Sequence, residues 1–229
     1  MKKHLLLAFS FLLPLLSFSQ EEEKAPLSTV IDSLYREDQM YIGFTYNILG
    51  NQPKDLSQSG FSSGLHLGFI RDMPINKNRN VALGLGLGFS GNSFSHNLLI
   101  ENDNYALLKE GEGYSKNKLS RYLIEVPFEF RWRTSTPTSY NFWRIYTGFK
   151  VGYLFHNTVK YSGDQGSYKI TNFKGFNDLQ YGITLNAGYS TWNLSLYYGL
   201  NPIFSSSETL NGNVMDLNTI KVGLMFYVL

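Results

Sequence analysis

Five charged side chains are the strongest candidates for chemistry in this chain. Glu125, Glu129 and Arg131 lie at odd-numbered positions of a segment in which apolar and polar residues alternate, so they share its polar face. Arg144 and Lys150 lie at even-numbered positions of the next segment, where these positions form the polar face. Carboxylates held near cations can work as acid and base when their surroundings shift their pKa values. The same side chains can instead form a buried ion network, because an unpaired charge in a narrow interior costs several kcal/mol. We favour the network and predict no catalytic role for these residues.

Histidine is the other residue type that could act as a base or a metal ligand. The candidates are His66, His96 and His156, and His96 directly follows Ser95. A histidine beside a hydroxyl is what a lipid-modifying barrel enzyme would need, but no two of these histidines share the spacing of a triad or a metal site. We therefore predict no catalytic residue, no metal site and no cofactor. A lipid-modifying small barrel enzyme that uses Glu125 or a histidine remains an alternative.

A glycine motif also needs interpretation. Gly86, Gly88 and Gly91 match the dinucleotide-binding fingerprint as a string. That fingerprint binds a pyrophosphate only at a turn from strand to helix. Here Leu87 and Phe89 continue a period of two, and no helical pattern follows. We expect these glycines to make room for larger side chains opposite them.

The strands that carry these residues are predicted from the alternation of apolar residues with small or polar ones. Eight segments alternate apolar residues with small or polar ones, as a transmembrane strand must when it faces lipid on one side and a lumen on the other. In a soluble β-sandwich the minority face would be more polar than the glycine, alanine, serine, threonine and asparagine seen here. The pattern predicts an all-β fold, an eight-stranded antiparallel up-and-down transmembrane β-barrel. The segments are residues 42–48, 65–69, 81–89, 122–132, 145–155, 179–189, 192–200 and 220–228.

The connections between these segments alternate in length. The first, third, fifth and seventh are long, whereas those near 73–80, 133–142 and 190–192 are short or moderate. Outer-membrane barrels have short periplasmic turns and longer external loops, so both barrel termini are expected in the periplasm. Trp132, Trp143 and Trp192 all fall beside short connections, which predicts a periplasmic aromatic rim.

The N-terminus predicts export. Lys2 and Lys3 precede a short apolar run that ends in small residues before Gln20. These are the features of a secretory signal peptide. We expect a signal peptide over residues 1–19, a periplasmic N-terminal tail over 20–39 and an outer-membrane barrel over 40–229. Without the two lysines, the formal charge falls from +2 to 0.

Composition excludes several function classes. The chain has no cysteine, which removes disulfides, thiol catalysis and cysteine-ligated metals. The balanced charge gives nucleic acid no basic surface to bind. Aromatic residues make up 16% of the chain and glycines number 21, a mixture that suits strands with aromatic belts.

Two segments carry a family resemblance. Residues 122–131 (YLIEVPFEFR) and 144–153 (RIYTGFKVGY), together with the leader ending before Gln20, resemble the PorT-like outer-membrane barrels of Bacteroidetes, often labelled "porin family". A proline inside a strand is the most specific point. The resemblance covers about residues 40–229 and implies a barrel in the outer membrane, with type IX secretion or gliding as an expected role. It transfers no catalytic residue.

A wide diffusion pore is not expected despite the family label "porin", because eight strands enclose an interior that side chains fill. We expect a non-enzymatic barrel in outer-membrane lipid, an accessory or structural subunit of an envelope complex for type IX secretion, gliding or barrel assembly. A narrow channel or small-ligand carrier is a further alternative. The expected protein-partner surface lies on two loops and comprises Tyr105, Leu107, Leu108, Tyr161, Tyr168 and Phe173.

Overall fold

A computed structural model describes residues 35–101, 104–108, 113–136, 141–164, 166–205, 209–210 and 212–228. The predicted signal peptide and residues 20–34 of the predicted tail lie outside this range. The described part of the chain contains no helix that is long and apolar enough to cross a membrane.

The described residues form thirteen strands. They are β1 (Gln39–Gly50), β2 (Ser63–Pro74), β3 (Val81–Ser95), β4 (Leu98–Glu101), β5 (Asn104–Leu107), β6 (Tyr114–Arg133), β7 (Trp143–Gly163), β8 (Gly166–Thr171), β9 (Leu179–Tyr189), β10 (Trp192–Gly199), β11 (Thr209–Leu210), β12 (Asn213–Val214) and β13 (Asn218–Val228).

Eight of these strands close into a barrel. Each of β1, β2, β3, β6, β7, β9, β10 and β13 pairs antiparallel with the next, and β13 pairs back onto β1. This confirms the predicted eight-stranded antiparallel barrel. Closure leaves no open edge in the ring, so its backbone donors and acceptors are paired, as a lipid environment requires.

The strands present apolar side chains outward. Along β1, Ile42, Phe44 and Tyr46 are exposed, whereas Thr45 and Asn47 are buried. Thr147 is an outward polar residue on β7, and its hydroxyl donates to the carbonyl of Thr184 at 3.2 Å. Exposed aliphatic and aromatic residues on every barrel strand make a belt that only lipid would cover favourably.

Pro127 is accommodated inside β6. It pairs with Lys150 on β7, but the pairing between β3 and β6 skips Gly86 and Leu87, which face Pro127 and Val126. Proline has no N–H to donate to a ladder, so the interruption falls on the side where that donor is missing.

The two ends of the barrel differ. We name as the short-turn end the one that carries residues 75–80, 134–136, 141–142 and 190–191. We name as the loop end the one that carries the described residues 51–62, 96–101, 104–108, 113, 164, 166–178, 200–205, 209–210 and 212–217. Trp132, Trp143 and Trp192 lie exposed on the outer surface at the short-turn end.

Loop residues and the loop-end parts of β1, β3, β6 and β7 share a hydrophobic core, which we call the loop core. Tyr105, Leu107 and Ile170 pack against it from the sides. Short hairpins and extensions support it, namely β4 with β5, β11 with β12, and β8 on the end of β7. Its buried members are Leu49, Leu56, Phe94, Leu98, Ile100, Leu119, Leu123, Leu154, Val159, Phe173, Phe176, Ile203, Phe204, Leu210, Met215 and Leu217.

This core corrects the predicted partner surface. Leu108, Tyr161 and Phe173 are buried. Tyr168 is half-buried, stacks on Tyr161 and donates its hydroxyl to the carbonyl of Ile100 at 2.8 Å. With Tyr105 and Leu107 also packed inward, these six residues stabilise the loops against one another. Apolar side chains on neighbouring loops bury each other because that removes them from water.

Candidate functional site

The lumen holds the charged residues, but it divides the predicted network of five into two clusters. The mid-lumen cluster comprises Glu125, Lys150, Lys221 and His66. The turn-end cluster comprises Asp72, Glu129, Arg131 and Arg133 and lies toward the short-turn end. Glu125 and Glu129 are four positions apart on β6, roughly 13 Å along a strand, so each carboxylate recruits its own cations.

Glu125 is the centre of the mid-lumen cluster. Lys150 Nζ lies 3.1 Å from its Oε2, and Lys221 Nζ lies 3.7 Å from its Oε1. The Ser90 hydroxyl donates to Oε1 at 2.8 Å, and His66 Nδ1 lies 3.7 Å from Oε2. All are buried. A carboxylate engaged on both oxygens and removed from solvent is a structural counter-ion, which matches the network interpretation of Glu125 and Lys150.

Asp72 is the centre of the turn-end cluster. Arg133 donates to both of its oxygens, Nη1 at 2.7 Å and Nη2 at 2.8 Å, and Arg131 Nη1 donates at 3.1 Å. Arg131 Nε also donates to Glu129 Oε2 at 3.0 Å. Asp72, Arg131 and Arg133 are completely buried. Bidentate geometry of this kind gives the strongest arginine–carboxylate contact.

Arg144 does not join either cluster. Its guanidinium lies 4.4 Å above the ring of Phe142 and within 6 Å of the rings of Tyr146 and Tyr227. No ion pair to Arg144 is formed by the described residues, and its Nε and Nη1 lack hydrogen-bond partners among them. The prediction that Arg144 pairs with the carboxylates is therefore wrong. Arg131 and Arg133 already occupy Asp72 and Glu129, so aromatic faces provide the attraction instead.

Sequence reasoning missed Asp72, Arg133 and Lys221, and it did not place the candidate His66 beside Glu125. Each lies on the inward parity of its own strand, and Lys221 is flanked by the outward residues Ile220 and Val222. Inward parity was thus an available signal for them. The alternation shows which side chains face the lumen. It does not show which charged residues on other strands they meet there.

The chain segment before β1 seals the short-turn end. Glu37 and Gln39 are buried there, and Arg131 donates to the carbonyl of Glu37 at 3.3 Å and to Gln39 Oε1 at 3.1 Å. The Tyr35 hydroxyl donates to the carbonyl of Ser135 at 3.0 Å. Residues 35–39, which the sequence assigned to a tail, are in part an ordered lumen plug. Burial is the main influence on the Glu37 carboxyl and raises its pKa.

The remaining space inside the barrel is small. Two lumen cavities have volumes of about 20 and 10 Å³ and both are bordered by Lys150, Tyr197 and Lys221. Cavities of this size hold one or two water molecules. Among the described residues, the loop core lies over one end of the lumen and residues 35–39 lie in the other.

The glycines of β3 make room for large lumen side chains. A Cβ on Gly88 would lie 2.0 Å from the Tyr41 hydroxyl and 2.8 Å from the carbonyl oxygen of Leu67, and one on Gly84 would lie 2.9 Å from Arg131 Nε. These glycines continue the strand, and no helix follows, so no pyrophosphate site forms.

We expect Gly88→Ala to destabilise the barrel by about 1–3 kcal/mol, because the new methyl group must displace Tyr41 and press on the β2 backbone. The matched control is Gly91→Ala on the same strand, where the nearest atom to a Cβ is a ring carbon of Tyr122 at 3.3 Å. Urea unfolding in detergent micelles compares them. Equal midpoints for the two variants would contradict this account of Gly88.

The three histidines lie in three different places. His66 belongs to the mid-lumen cluster and bonds Thr45 Oγ1 through Nε2 at 3.1 Å. His96 is buried at the loop end, where its Nδ1 accepts the N–H of Leu98 at 3.2 Å. His156 is half-buried and its ring packs on Tyr122 at 5.6 Å. The geometry does not bring any two of them to a common site.

His96 makes the loop end sensitive to acid. Burial lowers the pKa of His96 to about 4, from an ordinary value of 6.5. The unfolded loop therefore binds a proton between about pH 6.5 and pH 4 that the folded loop does not, so stability is present above this window and lost as the pH falls through it. We expect a loss of about 3 kcal/mol. Limited proteolysis of the loops across this range measures it.

His96→Asn is the matched variant for that test, because asparagine offers a neutral acceptor for the Leu98 N–H and does not titrate there. Its protease resistance should stay flat between about pH 6.5 and pH 4. An unchanged acid transition in the variant would assign the effect to another group.

A closed antiparallel ring with an apolar outer belt, a polar filled interior and unequal ends defines a transmembrane β-barrel of the outer-membrane type. In agreement, the family model for the outer membrane protein beta-barrel domain matches residues 18–205, and the chain belongs to that family. It is an outer-membrane β-barrel protein. No curated protein matches this chain.

Solved structures give weaker likenesses. Ail, the attachment invasion locus protein of Yersinia pestis, is 13% identical, with 85% of this chain and 100% of that chain covered and a TM-score of 0.38. The structure of Ail in complex with the heparin analogue sucrose octasulfate is 14% identical, with 85% of this chain and 99% of that chain covered and a TM-score of 0.39. A structure described as "Asymmetric conductivity of engineered proteins" is 9% identical, with 85% of this chain and 100% of that chain covered and a TM-score of 0.22. At these TM-scores the likenesses carry no further argument.

Proposed function

We propose that this outer-membrane barrel is non-enzymatic and acts through the surfaces at its two ends, as an accessory or structural subunit of an envelope protein complex. Type IX secretion and gliding are the processes that the PorT-like resemblance of residues 122–131 and 144–153 favours, and barrel assembly is a third candidate process. The observation that carries the proposal is the filled lumen, because a barrel without a pore or an open interior site has only its ends and its lipid face to offer.

The non-enzymatic part of the proposal rests on access. Glu125 is paired on both oxygens deep in the lumen, and His96 lies in the buried part of the loop end. A base needs to reach the proton that it removes. Neither group can meet a lipid substrate unless the loop core opens.

We look for contact surfaces elsewhere than the predicted loop residues, because three of those are buried and the other three are half-buried. At the short-turn end an open cleft of about 470 Å³ is bordered by Tyr35, Lys77, Asn78, Asn80, Thr134, Ser135 and Thr136. It offers amides, hydroxyls and a lysine to a partner. Polar surfaces of this kind suit reversible contacts within a membrane complex.

The orientation of these surfaces can be tested directly. The native chain has no cysteine, so single cysteines introduced at the exposed residues Asn78 and Lys169 are unique labels. We expect a membrane-impermeant maleimide to label Lys169→Cys on intact cells, and to label Asn78→Cys only after the outer membrane is opened. The reverse pattern would place the short-turn end outside the cell.

Partners are tested by photo-crosslinking in living cells. A photoreactive residue at Asn78 or at Lys169, followed by mild-detergent purification and mass spectrometry, should recover stoichiometric envelope subunits from at least one position. Recovery of a lone monomer from both positions would overturn the accessory role. Discrete conductance in a planar bilayer would replace it with the narrow-channel alternative. An altered lipid A profile in a deletion strain would replace it with the enzyme, if the wild type restores the profile and folded Glu125→Gln or His96→Asn barrels do not.

A further inference from the structure

Positive charge exceeds negative charge around the second lumen cavity. Arg121, Lys150 and Lys221 border it together with one carboxylate, Glu125. The exposed fractions of these four residues are 3%, 8%, 6% and 2% in that order. Three buried cations and one buried anion border this cavity, which leaves an excess of two positive charges.

Arg121 is the cation without a counter-ion. Both lysines contact Glu125, but no ion pair or hydrogen bond to Arg121 is formed by the described residues, and its Nε and Nη2 are buried without a partner. Arginine side chains stay protonated in proteins, so this guanidinium carries its positive charge. Leaving that charge buried and uncompensated is strongly unfavourable.

The other residues at the cavity restrict what could compensate the charge. The Thr219 hydroxyl is buried and has no partner, so it can donate to a ligand. The volume of about 10 Å³ is close to that of one water-sized sphere. Tetrahedral oxyanions such as phosphate or sulfate are several times larger than this space, whereas a single halide ion, although larger than a water molecule, comes nearest to it in size among anions.

We propose that this cavity binds one monatomic anion, chloride under ordinary conditions, held by the Arg121 guanidinium and the Lys221 ammonium opposite the side occupied by Glu125. The ion reduces the charge excess that Glu125 leaves and supplies an acceptor for the two unpartnered guanidinium nitrogens. This site is independent of the proposed accessory role.

Bromide provides a direct probe, since it replaces chloride and scatters anomalously. Wild-type protein crystallised in bromide should show an anomalous peak in the cavity between Arg121 and Lys221. Thermal unfolding in detergent gives the second readout, with chloride and the larger gluconate compared at equal ionic strength. A ligand that binds only the folded state raises the midpoint in proportion to the logarithm of its concentration, so we expect several degrees between about 10 mM and about 500 mM chloride and no rise with gluconate.

The variant for this test is Arg121→Gln, and the matched control is Arg71→Gln. Arg71 is 53% exposed and pairs with Asp38 at 3.4 Å outside the lumen. The chloride-specific rise should disappear in Arg121→Gln and persist in Arg71→Gln. Absence of bromide density in the wild-type cavity, or equal midpoints in chloride and gluconate, would overturn the site. The bromide experiment decides the question even if Arg121→Gln fails to fold.

Discussion

Replacement of Asp72 by Asn is expected to destabilise the barrel by about 3–5 kcal/mol, the typical cost of removing one member of a buried ion pair. Asp72 is the shared counter-ion of Arg131 and Arg133, and all three side chains are removed from solvent. Asparagine keeps the shape but not the charge, so Arg133 would lose its ion-pair partner and Arg131 would keep only Glu129. Urea unfolding in detergent micelles, followed by tryptophan fluorescence and heat-modifiable mobility on gels, measures the change.

Asp38→Asn is the matched control for Asp72→Asn. Asp38 pairs with the largely exposed Arg71, and its Oδ1 accepts the N–H of Asp72 at 2.8 Å, a bond that asparagine can keep. Exposed pairs contribute about 0–1 kcal/mol, so this variant should unfold close to the wild type. Similar losses for the two variants would show that the turn-end cluster does not hold this end of the barrel together.

Glu125→Gln is expected to have an effect of similar size, about 3–5 kcal/mol, because it leaves Lys150 and Lys221 buried without a carboxylate. Lys150→Met should cost clearly less. Its removal lowers the excess of positive charge around Glu125, whereas removal of Glu125 increases that excess. Equilibrium unfolding of both variants under the same detergent conditions tests the order.

The control for this pair is Glu101→Gln, an exposed glutamate at the end of β4. A surface substitution of this kind should stay within about 0.5 kcal/mol of the wild type. If Lys150→Met lowered the stability more than Glu125→Gln did, the mid-lumen cluster would not carry an uncompensated excess of positive charge. The reason for inferring an anion site would then be removed.

These variants also bear on how the two ends are stabilised. The turn-end cluster ties β2 and β6 to the segment before β1, through Asp72, Arg131 and Glu37. The loop end relies instead on apolar burial among the loops. We therefore expect salt and pH to act on the two ends differently, with His96 as the titrating group of the loop end.

Much of the fold followed from local sequence. Ile42, Phe44 and Tyr46 alternate with small or polar residues, and the structure places them on the outer face. A strand turns successive side chains to opposite faces, so this pattern depends only on the backbone of one segment. Pro127 was also compatible with its strand, because the ladder to β3 is interrupted where the proline lacks a donor.

The site was less accessible to such reasoning. Glu125 and Lys150 lie on neighbouring strands joined by a turn, with Pro127 opposite Lys150 in the register, and that proximity was predicted. Lys221 and His66 reach the same carboxylate from β13 and β2, which approach it only once the ring has closed. Arg144 shared the correct parity but met aromatic rings, since parity specifies a face and not a partner.

The sequence by itself determined the period of two, the eight strands, the apolar belt and the alternation of short and long connections. These properties follow from hydrophobicity and backbone geometry within a few residues. Only the tertiary structure decided which charges meet, that residues 35–39 lie in one end, that Phe173 joins the loop core and that Tyr161 is buried against Tyr168. Those outcomes depend on barrel diameter and register across strands far apart in the chain, and on the burial of apolar side chains from separate loops against one another.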